Sequence, residues 1–200
     1  MLQEGLTVIN KEGIATYFGP IISNGENENL FNQLLENIDW KNEVGMMFGK
    51  EFTTTRKVAF YADNAIEYTY SNKTKKGAAW TPQLMYLKTL VESYTNAKYN
   101  ACLLNLYHNG DEGMGWHSDD EKEIVQHSSI ASLSIGVARK FSFKHKATKE
   151  KIDCLLESGS LLEMKGALQK NWWHALPKSK KVTQPRINLT FRLMKESVSH

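Results

Sequence analysis

Cysteine and proline are scarce, with two and four in 200 residues. Two thiols cannot build the framework of a disulfide-stapled secreted scaffold. Cys102 and Cys154 each sit beside leucines in strand-like runs, which marks buried, reduced cysteines in a reducing compartment. No Pro/Gly/Ser-rich linker divides the chain, and it contains no internal repeat or low-complexity tract, so a single domain is expected. No apolar run approaches a membrane span, and the opening MLQEGLTVINKEG lacks the charged-then-apolar order of an export signal. The expected location is the cytoplasm, or the nucleus if the source is eukaryotic, with no membrane partner. Nothing demands a dimer, so a monomer is expected. Charge of one sign is also lacking: Lys+Arg number 25 and Asp+Glu 22, a net +3 that points only weakly to nucleic acid.

What is present divides by periodicity. ENENLFNQLLENIDW places Leu30, Phe31, Leu34, Leu35 and Ile38 at helical spacing. WTPQLMYLKTLVESYTNA predicts a second helix, with Thr81 as N-cap, Pro82 at the first helical position, and Leu84, Leu87, Leu90, Val91 and Tyr94 as its buried stripe. After Asn100 the pattern turns to strands: ACLLNLYHN, SSIASLSIGV, RKFSFKHK, KIDCLLE, SLLEMK, WWHAL and RINLTFRLM, parted by Gly, Asp, Asn or Lys turns. In SIASLSIGV, Leu133, Ile135 and Val137 alternate with Ser132, Ser134 and Gly136, which predicts a strand with one buried face. Seven or eight short strands behind a helical N-terminal half predict a mainly β fold with flanking helices, a jelly-roll or barrel buttressed on one side. Residues 1–38 are expected to be a packing extension of the one catalytic domain.

Several polar residues fit no ordinary core. His117 and Asp119 lie two apart in GMGWHSDDEKE, and His174 follows two tryptophans in NWWHALP. In PRINLTFRLM, Arg186, Asn188, Thr190 and Arg192 alternate with Ile187, Leu189, Phe191 and Leu193, so one strand face is apolar and the other carries two guanidiniums, an amide and a hydroxyl. Buried ions cost several kcal/mol unless paired, so these arginines call for an anion. Two histidines and a carboxylate with open positions form the facial triad of non-haem Fe(II) oxygenases. Zinc takes the same donors in hydrolases, but no HExxH helix or general base accompanies them here, and zinc leaves the arginines unexplained. Iron with a dicarboxylate co-substrate explains both, with one arginine for each carboxylate. Asn105 and Tyr107 share a face of the LLNLYHN strand, opposite Leu104 and Leu106, and are candidates for the same site.

The order Asn105-Leu-Tyr107, His117-Ser-Asp119-Asp120-Glu121, His174 and Arg186-Ile-Asn188-Leu-Thr190-Phe-Arg192 resembles the AlkB family of Fe(II)- and 2-oxoglutarate-dependent nucleic-acid dealkylases. The likeness runs from about Tyr17 to Met194. It implies a double-stranded β-helix in which His117, Asp119 and His174 bind Fe(II). Arg186, Asn188, Asn105 and Tyr107 would hold the distal carboxylate of 2-oxoglutarate, and Arg192 the carboxylate at the metal end, with O2 as oxidant. By the same resemblance residues 39–80 form a nucleotide-recognition lid ahead of a helix and catalytic jelly-roll over 81–200. Tyr68 and Tyr70 would pack over the damaged base, where stacking is worth about 1–3 kcal/mol. Phe48 would fill the gap left by a flipped base. Adjacent strand residues face opposite ways, so Asp120 is not expected on the metal, and the resemblance implies that it lies in the base pocket. There it would attract a cationic methylated ring.

Arg139, Lys140, Lys144, Lys146, Lys149 and Lys151, with His145, cluster around one strand and turn, and Lys178–Lys181 form a second basic group. Both are expected to contact phosphates. The expected activity is oxidative demethylation of alkylated DNA, N1-methyladenine and N3-methylcytosine above all, coupled to 2-oxoglutarate decarboxylation in direct-reversal repair. The alternatives are an RNA demethylase of the same chemistry, an oxygenase acting away from nucleic acid, and a binding module that has lost catalysis.

Overall fold

Alternating apolar residues dominate this chain, and strands dominate its structure. The computed structural model describes residues 4–47, 50–63, 66–70 and 73–195. Strands β1 (Leu6–Asn10) and β2 (Ile14–Pro20) lead into helix α1 (Asn24–Asn37). The hairpin β3 (Lys41–Met47) and β4 (Lys50–Ala62) follows, then the small pair β5 (Glu67–Tyr70) and β6 (Lys73–Lys76), then helix α2 (Pro82–Thr95). Eight strands complete the fold: β7 (Ala101–Tyr107), β8 (Met114–His117), β9 (Ile130–Gly136), β10 (Arg139–His145), β11 (Lys151–Leu156), β12 (Ser160–Lys165), β13 (Trp172–Leu176) and β14 (Arg186–Arg192). A single turn, α3 (Leu168–Asn171), precedes β13.

These eight strands pair in nested order. β7 lies against β14, β8 against β13, β9 against β12 and β10 against β11, all antiparallel. That nesting is the double-stranded β-helix expected from the sequence. One sheet runs β1-β2-β12-β9-β14-β7-β4-β3 and the facing sheet β11-β10-β13-β8. The N-terminal half therefore adds β1 and β2 to one edge of the large sheet and β4 and β3 to the other. Among the described residues no helix is long and apolar enough to cross a membrane.

Both helices cover the outer face of the large sheet. Leu30 and Leu34 of α1 and Leu84, Leu87 and Val91 of α2 pack on Leu104, Leu133, Ile135, Ile187 and Leu189. Thr81 caps α2 by accepting a hydrogen bond from the Leu84 amide at 3.2 Å, with Pro82 in the first turn, as the sequence predicts. On α1 the buried stripe is Leu30 and Leu34, continued by Ile38 at the C-cap with Phe31 packed beside it, while Leu35 is 42% exposed. A sheet-packing helix buries one stripe, and Leu35 lies outside it.

Three further sequence expectations change. β9 has two buried faces: Leu133 and Ile135 meet the helices, and Ser132 and Ser134 point between the sheets. β8, a four-residue strand absent from the predicted runs, carries His117. Cys154, on edge strand β11, is only half-buried. Gly136 ends β9 at φ +94, where an added Cβ would stand 2.6 Å from the Pro185 carbonyl, so glycine lets β9 close tightly beside the start of β14.

The narrow α1 stripe makes a prediction with one residue type at adjacent positions. Leu34→Ala should cost about 2–5 kcal/mol of stability and Leu35→Ala less than about 0.5 kcal/mol, measured by urea unfolding. Equal losses would contradict the placement of this helix.

Candidate active site

β14 lies at the centre of the large sheet, between β9 and β7, and its register aligns the polar faces of all three strands. Asn188 sits opposite Asn105 on one side and Ser134 on the other, and Arg186 opposite Tyr107 and Gly136. Arg186 is 2% exposed. Its Nη2 donates to Ser134 Oγ and Asn188 Oδ1, each at 2.8 Å, and its Nε finds no hydrogen-bond partner. Asn188 Oδ1 also accepts from Ser132 Oγ at 2.8 Å, while its Nδ2 donates to Thr190 Oγ1. Among the described residues no carboxylate pairs with Arg186. Burial pushes its pKa down to about 10, a smaller attraction from Tyr107 opposing and Arg139 adding to the effect. A guanidinium fixed in place by neutral groups, with an N–H left over, is an anion site waiting for charge.

Tyr107 extends this wall. Three guanidinium carbons surround its ring: Arg186 at 5.7 Å, and Arg56 and Arg139 each at 5.9 Å. Arg139 is saturated by the carbonyls of Asn109, Glu112 and Pro177 at 2.9–3.2 Å. It pins loops and is 2% exposed, and His145 is 3% exposed and bonded to Glu12. Neither can reach a phosphate, which removes both from the basic surface cluster expected from the sequence.

The metal-ligating side chains come from the facing sheet. His174 on β13 lies directly across from His117 on β8, so both imidazoles share the inner face, 4.2 Å apart between ring centroids. Asp119 follows just past the end of β8, and the loop is tied down there. Its amide donates to Gln169 Oε1 at 3.0 Å, and the Ser118 hydroxyl donates to the Trp172 carbonyl at 3.0 Å. Asp119 Oδ1 stands 3.8 Å from His117 Nε2 and 4.0 Å from His174 Nε2. The three donor atoms lie within 4.8 Å of one another, on the order of two metal–ligand bonds of about 2.1 Å.

The chemistry of these donors suits a divalent metal. His117 Nδ1 donates to the Gly115 carbonyl at 2.8 Å, so Nε2 keeps its lone pair free for the centre. Burial, reinforced by His117 and Arg192 and partly opposed by Asp119, drives the His174 pKa down to about 3, so this imidazole is neutral at pH 7. For Asp119, burial alone would raise the pKa. The Arg192 guanidinium outweighs it and holds the carboxyl well below its ordinary range. Arg192 reaches Asp119 Oδ1 through Nη2 at 2.8 Å. The arginine expected to meet the metal-end carboxylate of a co-substrate thus pairs with Asp119 of the triad.

A cavity of about 80 Å³ connects these parts, lined by His117, Asp119 and His174 and by Asn105, Tyr107, Arg186, Asn188 and Arg192. All eight residues singled out for metal and co-substrate therefore meet in one place. Asp120 lines a larger neighbouring cavity of about 460 Å³ that shares Asp119 as a wall. Both aspartates lie beyond β8, so their opposite exposures, Asp119 buried and Asp120 exposed, come from a loop and not from the strand pleat invoked for them. Phe48 lies outside the described residues. Tyr68 and Tyr70 fall on β5, and their side chains lie outside them too.

Ser132, Ser134 and Gln169 belong to the site without belonging to any motif. The two serines were detectable only by their spacing of two on a strand that pairs with β14. Gln169 carries no such signal.

Residues 14–192 match the 2OG-Fe(II) oxygenase superfamily. Human DNA oxidative demethylase ALKBH2 is 34% identical over 195 residues, spanning 92% of this chain and 75% of that protein. Bovine alpha-ketoglutarate-dependent dioxygenase alkB homolog 3 is 36% identical over 177 residues, 84% of this chain and 61% of that protein. The solved structure of OsALKBH1 shares the fold at a TM-score of 0.69 and 14% identity, covering 94% of this chain and all of that one. With its triad, its arginine wall and these relatives, the chain belongs to the AlkB family of the 2OG-Fe(II) oxygenase superfamily and is an Fe(II)- and 2-oxoglutarate-dependent dioxygenase.

Proposed function

We propose that this enzyme removes N-methyl groups from alkylated DNA bases, N1-methyladenine and N3-methylcytosine, and so repairs them by direct reversal. The oxidative chemistry is carried by one observation: a buried guanidinium without a carboxylate, Arg186, faces a His117–Asp119–His174 triad across a small cavity. Support for the substrate comes from the relatives named DNA oxidative demethylase, 33–34% identical over 92% of this chain in the mammalian proteins. A monomer working in the cytoplasm, or in the nucleus of a eukaryote, suits this role.

His117, Asp119 and His174 would hold Fe(II), which with 2-oxoglutarate and O2 as co-substrates would supply the oxidation of the methyl C–H bond. Arg186 binds the distal carboxylate of 2-oxoglutarate. Asn188, Ser132 and Ser134 fix its guanidinium, and Asn105 and Tyr107 shape the same wall. Arg192 keeps Asp119 ionised and lies at the metal end of the row, beside the second carboxylate. Asp120, exposed at the larger cavity, attracts the cationic methylated ring, which a normal neutral base lacks. The hydroxylated methyl then leaves as formaldehyde, restoring the base.

His117→Ala or Asp119→Ala should abolish formaldehyde release from methylated oligonucleotide with Fe(II) and 2-oxoglutarate supplied, while circular dichroism shows a folded chain. Turnover in either variant would refute the ligand assignment. Arg186→Met should raise the KM for 2-oxoglutarate about ten- to hundredfold, the value of a charge-assisted hydrogen bond, with little change in KM for the oligonucleotide. A rise confined to the oligonucleotide would place Arg186 on the wrong ligand. Phe48→Ala should lower activity on duplex DNA more than on single strands. Equal losses in a paired assay would end the base-replacement role.

A further inference from the structure

The inner face of the small sheet holds the metal ligands, and its outer face carries something the chemistry above does not use. Trp116 precedes His117 on β8 and therefore points the other way. It is 40% exposed, an unusual position for an indole on a sheet face. Beside it, Lys144 on β10 pairs in register with Trp173 of β13 on one side and with Lys151 of β11 on the other. The Lys144 ammonium stands 4.5 Å from the Trp116 ring centroid and 5.2 Å from that of Trp173. From the adjoining turn, Lys149 and Lys146 approach Trp173 at 5.0 and 6.0 Å.

This arrangement opposes folding. Like charges directly across a strand pair destabilise a sheet, and Lys144 faces Lys151. Among the described residues none of these four lysines forms an ion pair with a carboxylate, although Lys140, on the same strand face, is paired with Asp153. Direct ion pairing thus stops where the tryptophans begin, and Asp153 reaches Lys151 only by longer-range attraction. A band of ammonium groups without direct ion pairs among the described residues, interleaved with indole faces, fits a ligand that offers phosphate and aromatic ring in alternation. An acidic peptide satisfies the lysines and leaves Trp116 bare. A duplex keeps its bases stacked inside and gives the indole nothing to stack on.

We propose that this outer face is a platform for single-stranded nucleic acid, with phosphates on Lys144, Lys149 and Lys151 and an unpaired base against Trp116. It rests on the nucleic-acid reading of the active site and extends it: the strand is held behind the metal-bearing strands as well as at the reacting base.

The test separates binding length from chemistry. An unmethylated 15-mer single strand is titrated by fluorescence anisotropy at several salt concentrations. Formaldehyde release is followed in parallel on a methylated 15-mer and on a methylated trinucleotide too short to reach the platform. Trp116→Ala should weaken 15-mer binding about five- to a hundredfold, as loss of one stacked base requires, and Trp116→Tyr should restore most of it. Lys144→Ala with Lys151→Ala should flatten the slope of log K against log salt by about 1.4. This pair carries the test by itself if Trp116→Ala lowers the melting temperature. Trinucleotide turnover should stay at the level of the unaltered enzyme throughout. Unchanged 15-mer affinity and salt slope in these variants would overturn the platform, as would polyglutamate displacing the 15-mer equally well from the unaltered enzyme and from Trp116→Ala. If the unaltered enzyme releases no formaldehyde from any methylated strand, the substrate reading fails, while loss of 15-mer binding in the variants still establishes the platform.

Discussion

A guanidinium sealed between two sheets, with no carboxylate partner among the described residues, is the constraint around which this structure is organised. Burying such a charge costs several kcal/mol, and the neutral groups on Arg186 recover only part of it. The neighbouring strands serve that residue. β9 contributes Ser132 and Ser134 where a purely structural strand would place aliphatics, and β7 contributes Asn105 and Tyr107. The eight-stranded sheet can hold this polar face because the other face of its central strands β9, β14 and β7 is apolar and covered by α1 and α2. A ligand carboxylate at Arg186 would relieve the remaining cost and so would couple anion binding to fold stability through one side chain.

Asp119 performs a related duty for the metal. It sits where burial would favour protonation, yet Arg192 keeps it ionised, and Gln169 and Ser118 hold its loop in place. His117 keeps its ligating nitrogen available because its other nitrogen is committed to a backbone carbonyl. His117, Asp119 and Arg186 are thus fixed by hydrogen bonds outside the ligand sets, which is how a centre keeps its geometry through turnover.

The small sheet shows how cheaply a β fold separates tasks. Side chains alternate in direction, so Trp116 and His117 serve opposite surfaces though adjacent in sequence, as do Trp173 and His174. The inner row ligates a metal and the outer row presents indoles and ammonium groups.

Much of this was legible in the chain alone. The period of two in RINLTFR separates its arginines from its aliphatics, and burial then demands an anion. The Thr81–Pro82 start of α2 needs only local capping chemistry. Seven of the eight strands follow from short alternating runs and their nesting from the family resemblance, while β8 left no such run. Other features depended on tertiary structure because they arise from pairing across distant segments. Ser132 and Ser134 became site residues only when β9 docked beside β14. Arg139 and His145, basic residues that look like surface charge, are buried by loops from elsewhere. Leu35 has the composition of a core residue but not its direction. Sequence determines what each side chain can do and which neighbours share its face, because those depend on covalent chemistry and local backbone period. Which strands become neighbours, and so which charges lose water, is decided by the packing of the whole chain.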